Sequence, residues 1–264
     1  MKIRKLIALV LCAALIMLCG CHEKTIPELA ESENPPISAS YKTMKLGADG
    51  GLEIARKDIG STPMGEAGTW TIFVYMSGST LESSQSSGTK DLKEMEAVLN
   101  SENAGNIRFV VQTGGTDGWK YGDISAEALQ RHVISNGELE TVAQVPLASM
   151  GEASTLRNFV TWGVENYPAE KMGLVLWGHG KGSVGGVCKD DLFDGDYLEL
   201  SEINSALSEA SEAMTDKFEF IGSDACFMGT LEAADVCASY ARYMIGSEEL
   251  EPTDGWNYTA LGEL

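Results

Sequence analysis

Two short stretches carry side chains able to do covalent chemistry. They are Trp177-Gly178-His179-Gly180-Lys181-Gly182 and Ser223-Asp224-Ala225-Cys226-Phe227-Met228-Gly229. An imidazole beside a thiol is a general base beside a nucleophile: the base takes the thiol proton and the thiolate attacks an electrophilic carbon. His179 and Cys226 are the expected pair. The glycines flanking His179 let main chain approach a ligand closely, so the Gly180 amide is expected to join the Cys226 amide as an oxyanion hole. Cys226 reads as lying just before a helix, whose N-terminus favours thiolate. Taken singly, such a Cys is more often a small buried hydrophobe and such a His a solvated loop residue. Their joint appearance after consecutive β-rich runs favours catalysis. The other histidines lie near the N-terminus (His22) and in a hairpin-like segment (His132). A zinc site built from Cys188, Cys226, His179 and an acid lacks the short paired spacing that such sites use.

Elements must bring the two stretches together. Apolar β-rich runs at Trp70–Met76, Ile107–Thr113, Met172–Trp177, Phe218–Ser223 and Tyr243–Ile245 read as strands. Between them lie helical patterns at Leu81–Leu99, Ser154–Tyr167, Ile203–Met214 and Met228–Tyr240. In Ser154–Tyr167 the residues Leu156, Phe159, Val160 and Val164 share one stripe. Asn136-Gly137 marks a hairpin. Strands alternating with helices predict an α/β fold, a three-layer sandwich with a mostly parallel central sheet. Ligands in such folds sit beyond the carboxyl ends of strands, where His179 and Cys226 both fall. If their strands are neighbours, the two side chains lie side by side.

The rest of the chain says where the protein works. Of 264 residues, 39 are acidic and 19 basic, a net charge of −20. That field repels phosphate backbones, so no nucleic-acid partner is expected, and it favours basic ones. Lys2, Arg4 and Lys5 precede the apolar run LIALVLCAALIML, which is too short to span a bilayer comfortably and suits a signal peptide. The run ends in Leu18-Cys19-Gly20-Cys21, which looks like a lipoprotein cleavage box. Residues 1–20 are therefore expected to be a lipoprotein signal peptide, with the lipid on Cys21, an anchor at the outer face of a bacterial cell membrane. Residues 21–68, with Pro-Pro and few large apolar groups, read as a flexible tether, with some extended structure within 38–60, or equally as a loosely packed N-terminal extension, and residues 69–264 as the folded domain. Cys188, Cys226 and Cys237 remain in the body, an odd number, so at least one free thiol is expected.

LVLWGHGKG followed by DACFMG resembles the clostripain family of cysteine peptidases, in the clan of caspases, legumains and gingipains. VYMSGSTLES, STLRNFVTWGVENYPAEKMGLVLW and SEELEPTDGWNY are similar to family blocks, so the resemblance runs from Trp70 to the end. It implies a caspase-like fold, with Cys226 as nucleophile, His179 as general base or acid, and an acyl-enzyme mechanism on peptide bonds that requires no cofactor. It also implies peptide or protein substrates cut after Arg or Lys. A carboxylate at the pocket floor accounts for that preference. Asp224 of the DAC motif is the first candidate for it and Asp254 of the TDGW turn the second. Family members are zymogens clipped between the two blocks, and Lys189, in an expected exposed loop, is the candidate clip site. Calcium is a possible structural or activating ion of the family. Asp190, Asp191, Asp194 and Asp196 around Gly195 offer oxygen ligands, although the pattern is not an EF-hand and a solvated acidic loop is the simpler reading. The sequence departs from the family at Gly178 and Lys181, the latter placing a cation beside the site. It also ends soon after Trp256, so part of the sheet is expected to be missing. Two functions follow: a membrane-tethered cysteine endopeptidase, or an inactive clostripain-like lipoprotein acting as a binding module.

Overall fold

The computed structural model describes residues 42–100 and 106–263. The expected signal peptide and Cys21 lie outside them, and no helix among the described residues is long and apolar enough to cross a membrane.

A two-stranded antiparallel ribbon comes first, β1 (Lys42–Leu46) and β2 (Leu52–Arg56). Residues 21–41 of the expected tether lie outside the described residues, and the rest follows the alternative reading of a packed extension with extended structure. From Lys42 onward the segment is docked on the body. Arg56 donates to Asp235 Oδ1 at 2.6 Å, Lys42 pairs with the same carboxylate, and Ile59 sits in the core. Two cations on one carboxylate hold Asp235 at about 2, below the usual range. The docking contacts are ionic and their partners distant in sequence, so composition alone reads as spacer.

The body is a seven-stranded sheet. β3 (Trp70–Ser77) is its centre; seven of its eight residues are buried, as expected of a strand covered on both faces. Two helices follow, α1 (Ser79–Gln85) and α2 (Ser87–Leu99), where one was predicted. The break is at Ser86, in the left-handed region at φ 58°. The buried Glu82 carboxylate accepts from the Thr89 amide at 2.9 Å, so it caps α2 in place of a helical carbonyl.

Next come β4 (Ile107–Gly114) and the predicted hairpin, β5 (Ala128–Ile134) with β6 (Leu139–Pro146). Helix α3 (Ala153–Asn166) leads to β7 (Lys171–Trp177). The short helix α4 (Gly182–Gly185) precedes a small ribbon, β8 (Val187–Asp190) with β9 (Asp196–Leu198). Then follow α5 (Leu200–Ala210), β10 (Phe218–Asp224), α6 (Leu231–Cys237), β11 (Ala241–Gly246) and α7 (Tyr258–Leu261).

The strand order is β11-β10-β7-β3-β4-β5-β6. The first five strands run parallel; β5 pairs antiparallel with both β4 and β6, so it alone is reversed in the sheet. One face packs α3, α5 and α6 around Phe73, Tyr75 and Leu174; the other packs α2 and α7 around Val74, Val175 and Phe220. The stripe on α3 is buried as its spacing predicts, and Phe159 meets Phe73 edge-on at 6.2 Å. The result is the three-layer α/β sandwich. In it β7 and β10 are direct neighbours, with Trp177 paired to Asp224. That pairing puts the His and Cys loops at one end of the sheet.

Candidate active site

The His loop leaves β7 through Gly178, whose amide donates to the Asp224 carbonyl at 3.2 Å. A one-residue step beyond, the two loops touch. A β-carbon on Gly180 would stand 2.2 Å from the Cys226 carbonyl oxygen and 3.1 Å from its amide nitrogen. Only glycine permits that approach, which is the local reason for the Gly-His-Gly run. The turn beyond is closed by the Lys181 amide on the Gly186 carbonyl, and Gly180 itself stays against Cys226.

His179 is half-buried. Burial pulls its pKa below the usual value, the Lys189 ammonium pulls the same way, and Asp191 opposes them. The ring is therefore neutral at neutral pH and fit to accept a proton. Its Nε2 is 2.9 Å from Thr80 Oγ1, at the start of α1.

Cys226 is half-buried, while Cys188 and Cys237 are buried free thiols. Burial pushes Cys237 up to about 12 and raises Cys188 strongly, so neither is a nucleophile. The expected helix after Cys226 begins only at Leu231, capped by Thr230, so the thiol is not at a helix N-terminus. A different donor faces it: the Glu251 amide, 3.4 Å from Sγ. The segment after β11 crosses the Cys loop here, since Phe227 N donates to the Glu249 carbonyl at 2.9 Å and Gly229 N to the Ser247 carbonyl at 2.7 Å. Sequence reading missed both Thr80 and Glu251, although each lies in a block quoted above.

Asp224 and Asp254 part company. Asp254 is exposed, 3.6 Å from the Lys90 ammonium. Asp224 is 5% exposed, under the turn that contains Gly255 and Trp256. Its Oδ2 accepts from the Trp256 amide at 3.2 Å and the Tyr258 hydroxyl at 3.0 Å; Oδ1 accepts no hydrogen bond from a described residue. Burial raises its carboxyl to about 6 against the pull of those two bonds. Nearby Asp91, not foreseen from the sequence, accepts from the Trp177 indole at 2.7 Å and is pushed to about 8 by burial, with the Asp224 charge adding to it.

The acidic segment after His179 is only in part an exposed loop: Asp191 and Asp194 lie exposed in the turn between β8 and β9, and Lys189 and Asp190 lie in a strand. Lys189 belongs to β8, its carbonyl accepting from Ser77 Oγ at 2.7 Å and its ammonium 2.6 Å from Asp191. Asp190 is buried and accepts the Met150 and Leu192 amides, each at 2.8 Å; Asp196 accepts from Ser149 Oγ at 2.7 Å. Asp190 and Asp196 therefore hold the ribbon to its surroundings, while Asp194 is exposed in the turn between the strands. Among the described residues no group of three or more His, Cys, Asp or Glu could hold a metal ion. Lys181 lays its ammonium 4.2 Å from the Tyr197 ring centroid, which ties that cation to the ribbon.

Comparisons with known proteins agree with this architecture. The profile of the clostripain family matches residues 74–264. A secreted C11 cysteine protease from Bacteroides thetaiotaomicron, solved in complex with an irreversible peptide inhibitor, superposes with a TM-score of 0.59. It is 23% identical, over 74% of this chain and 53% of that one. An inactive zymogen C11 protease from Parabacteroides distasonis gives a TM-score of 0.53 at 24% identity, over 72% and 51%. The chain thus spans about half the length of these solved proteins, and at such identities the likeness is one of fold. No curated protein matches the sequence significantly.

Proposed function

This chain belongs to the clostripain family, and from that premise we propose that it is a cysteine endopeptidase that cuts after Arg or Lys. The observation that carries the reading is the contact of Gly180 with the Cys226 main chain. It sets a neutral imidazole and the half-buried thiol on touching loops of paired strands. In the proposed cycle His179 takes the Sγ proton and Sγ attacks the substrate carbonyl carbon, forming a C–S bond. The amides of Gly180 and Cys226 face the developing oxyanion. Collapse breaks the C–N bond and the imidazolium returns its proton to the leaving amine. Water, deprotonated by His179, then hydrolyses the thioester and frees Cys226.

Asp224 is the specificity carboxylate of this reading. It is buried at the end of the nucleophile's own strand, and its Oδ1, which accepts no hydrogen bond from a described residue, would pair with a guanidinium or ammonium once the turn holding Gly255 lifts from it. The solvated Asp254 has no such enclosure. Export, with a lipid on Cys21 holding the enzyme at the outer face of a bacterial membrane, is the location we assign, supported by the N-terminal pattern of basic start, apolar run and cysteine. Processing at Lys189 follows the family resemblance. In this conformation cleavage at Lys189 requires β8 to leave its ribbon.

Hydrolysis of an Arg-containing fluorogenic peptide by the full chain, against Cys226→Ala and His179→Ala, tests the proposal. Turnover that both substitutions reduce by more than about a thousandfold is expected. Equal signals from all three proteins would leave the binding-module reading in its place.

A further inference from the structure

Thr80 stands in the first turn of α1, which follows β3, and His179 on the loop that leaves β7. The two strands are paired, Met76 opposite Trp177, so the hydroxyl reaches the ring across that pair, 2.9 Å from Nε2. The threonine is presented on fixed backbone. Gly78 N donates to the Gly114 carbonyl at 2.9 Å and Ser79 N to the Gly115 carbonyl at 3.1 Å. Ser79 is buried and held at φ 42°, a left-handed conformation that costs a non-glycine residue energy. Such strain persists only where the surroundings over-determine it, and here it sets the direction in which the next residue points.

A neutral imidazole carries one N–H, and the hydrogen bond at one nitrogen decides which nitrogen is basic. A hydroxyl either accepts or donates. If Thr80 donates to Nε2, the ring proton sits on Nδ1 and neither nitrogen keeps a free lone pair. If Thr80 accepts, Nδ1 is the base. We propose that Thr80 is a positioning residue: its hydroxyl accepts the His179 Nε2–H, fixes the ring and leaves Nδ1 to take the Cys226 proton. This rests on the His179–Cys226 reading above. The bond strengthens when the ring becomes imidazolium, because a cationic donor makes the shorter and stronger hydrogen bond, so Thr80 favours the charged state through which the reaction passes. The charged groups facing the ring are Lys189 and Asp191, from β8 and the turn after it. Thr80 adds no charge.

The test uses the full chain with Thr80→Val, which keeps the shape and removes the acceptor, Thr80→Ala, which adds no apolar surface, and Thr80→Ser, which restores the hydroxyl. Loss of a hydrogen bond to a group that becomes charged predicts a fall of about ten- to hundredfold in kcat for Val and Ala. KM should stay within about twofold and the acid limb of the kcat profile should move to lower pH. Ser should stay within about threefold of the parent. Nitrogen-15 spectra of the His179 ring should show the Nε2–H tautomer in the parent and a mixture in Thr80→Val. A kcat and acid limb unchanged in Val and Ala would overturn the proposal, as would a drop in thermal midpoint with kcat retained, or an Nδ1–H tautomer in the parent. Hydrolysis that survives His179→Ala or Cys226→Ala would instead remove the dyad reading beneath it.

Discussion

Two histidines in this molecule each hydrogen-bond a threonine, and under the proposed function they do opposite jobs. His132 lies in β5, fully buried, with Nε2 2.9 Å from Thr113 Oγ1 and Nδ1 3.0 Å from Thr141 Oγ1. Burial drives its pKa to about 3. His179 lies at a strand end, half-buried, and among the described residues only its Nε2 has a hydrogen-bond partner. Both rings are neutral at neutral pH. The difference is the second nitrogen: in the hairpin it is tied inside the sheet, and at the strand end it is left for another group. A bound imidazole is a structural pin, and a half-bound one is a proton acceptor. The same contrast separates the cysteines, since Cys188 and Cys237 are buried and Cys226 is half-buried.

Exchanging each histidine for glutamine breaks the comparison most sharply. His179→Gln should abolish peptide hydrolysis, a loss above about a thousandfold, with little change in thermal midpoint. His132→Gln should leave kcat/KM within about twofold while costing about 1–3 kcal/mol of stability in denaturant unfolding, because it strands at least one buried threonine hydroxyl. Equal kinetic effects of the two substitutions would erase the distinction.

A smaller effect is expected one loop away. Asp224→Asn should lower kcat/KM for an Arg peptide by about a hundredfold, the worth of a buried charge-assisted pair, and change a peptide with a neutral side chain there far less. The parent should share part of this loss on acidification. Its carboxyl is raised to about 6, so KM for the Arg peptide should rise as pH falls through 6, while Asp224→Asn shows no such rise. An Asn variant that keeps the parent's Arg preference would shift attention to Asp254.

These contrasts also divide what was legible in the sequence from what was not. The strands were, because β3, β7 and β10 are buried on both faces and their apolar runs admit few other readings. The His and Cys positions followed from the rule about strand ends. The α1–α2 break was not legible, because a buried Glu82 caps a helix across a turn. Nor was the docking of residues 42–68, which depends on Asp235, far along the chain. Thr80, Asp91 and Glu251 act through contacts between segments 86 or more residues apart or through a main-chain amide, and a side-chain pattern carries no trace of either. Local periodicity reports burial; it does not report which distant polar group meets which.

The finest distinction is in the response of folding to acid, where the two histidines should differ in size and the buried carboxyls should differ in sign. His132 has a folded pKa of about 3, below the ordinary value near 6.5 of an unfolded chain. Its neutral form is favoured by folding, so its contribution is complete above pH 6.5 and is lost as pH falls toward 3. His179 is lowered too, but it is half-exposed and its share is smaller. Asp91 runs the other way. Raised to about 8, it favours the fold at pH below 4 and loses that contribution as pH rises through 8. Thermal midpoints of the parent, His132→Gln and Asp91→Asn between pH 4 and 8 separate the two: the first substitution should flatten the acid side of the curve and the second the alkaline side. An acid side unchanged in His132→Gln would mean that the buried ring is not the group whose protonation opens the hairpin, and the contrast between the two histidines would then rest on kinetics alone.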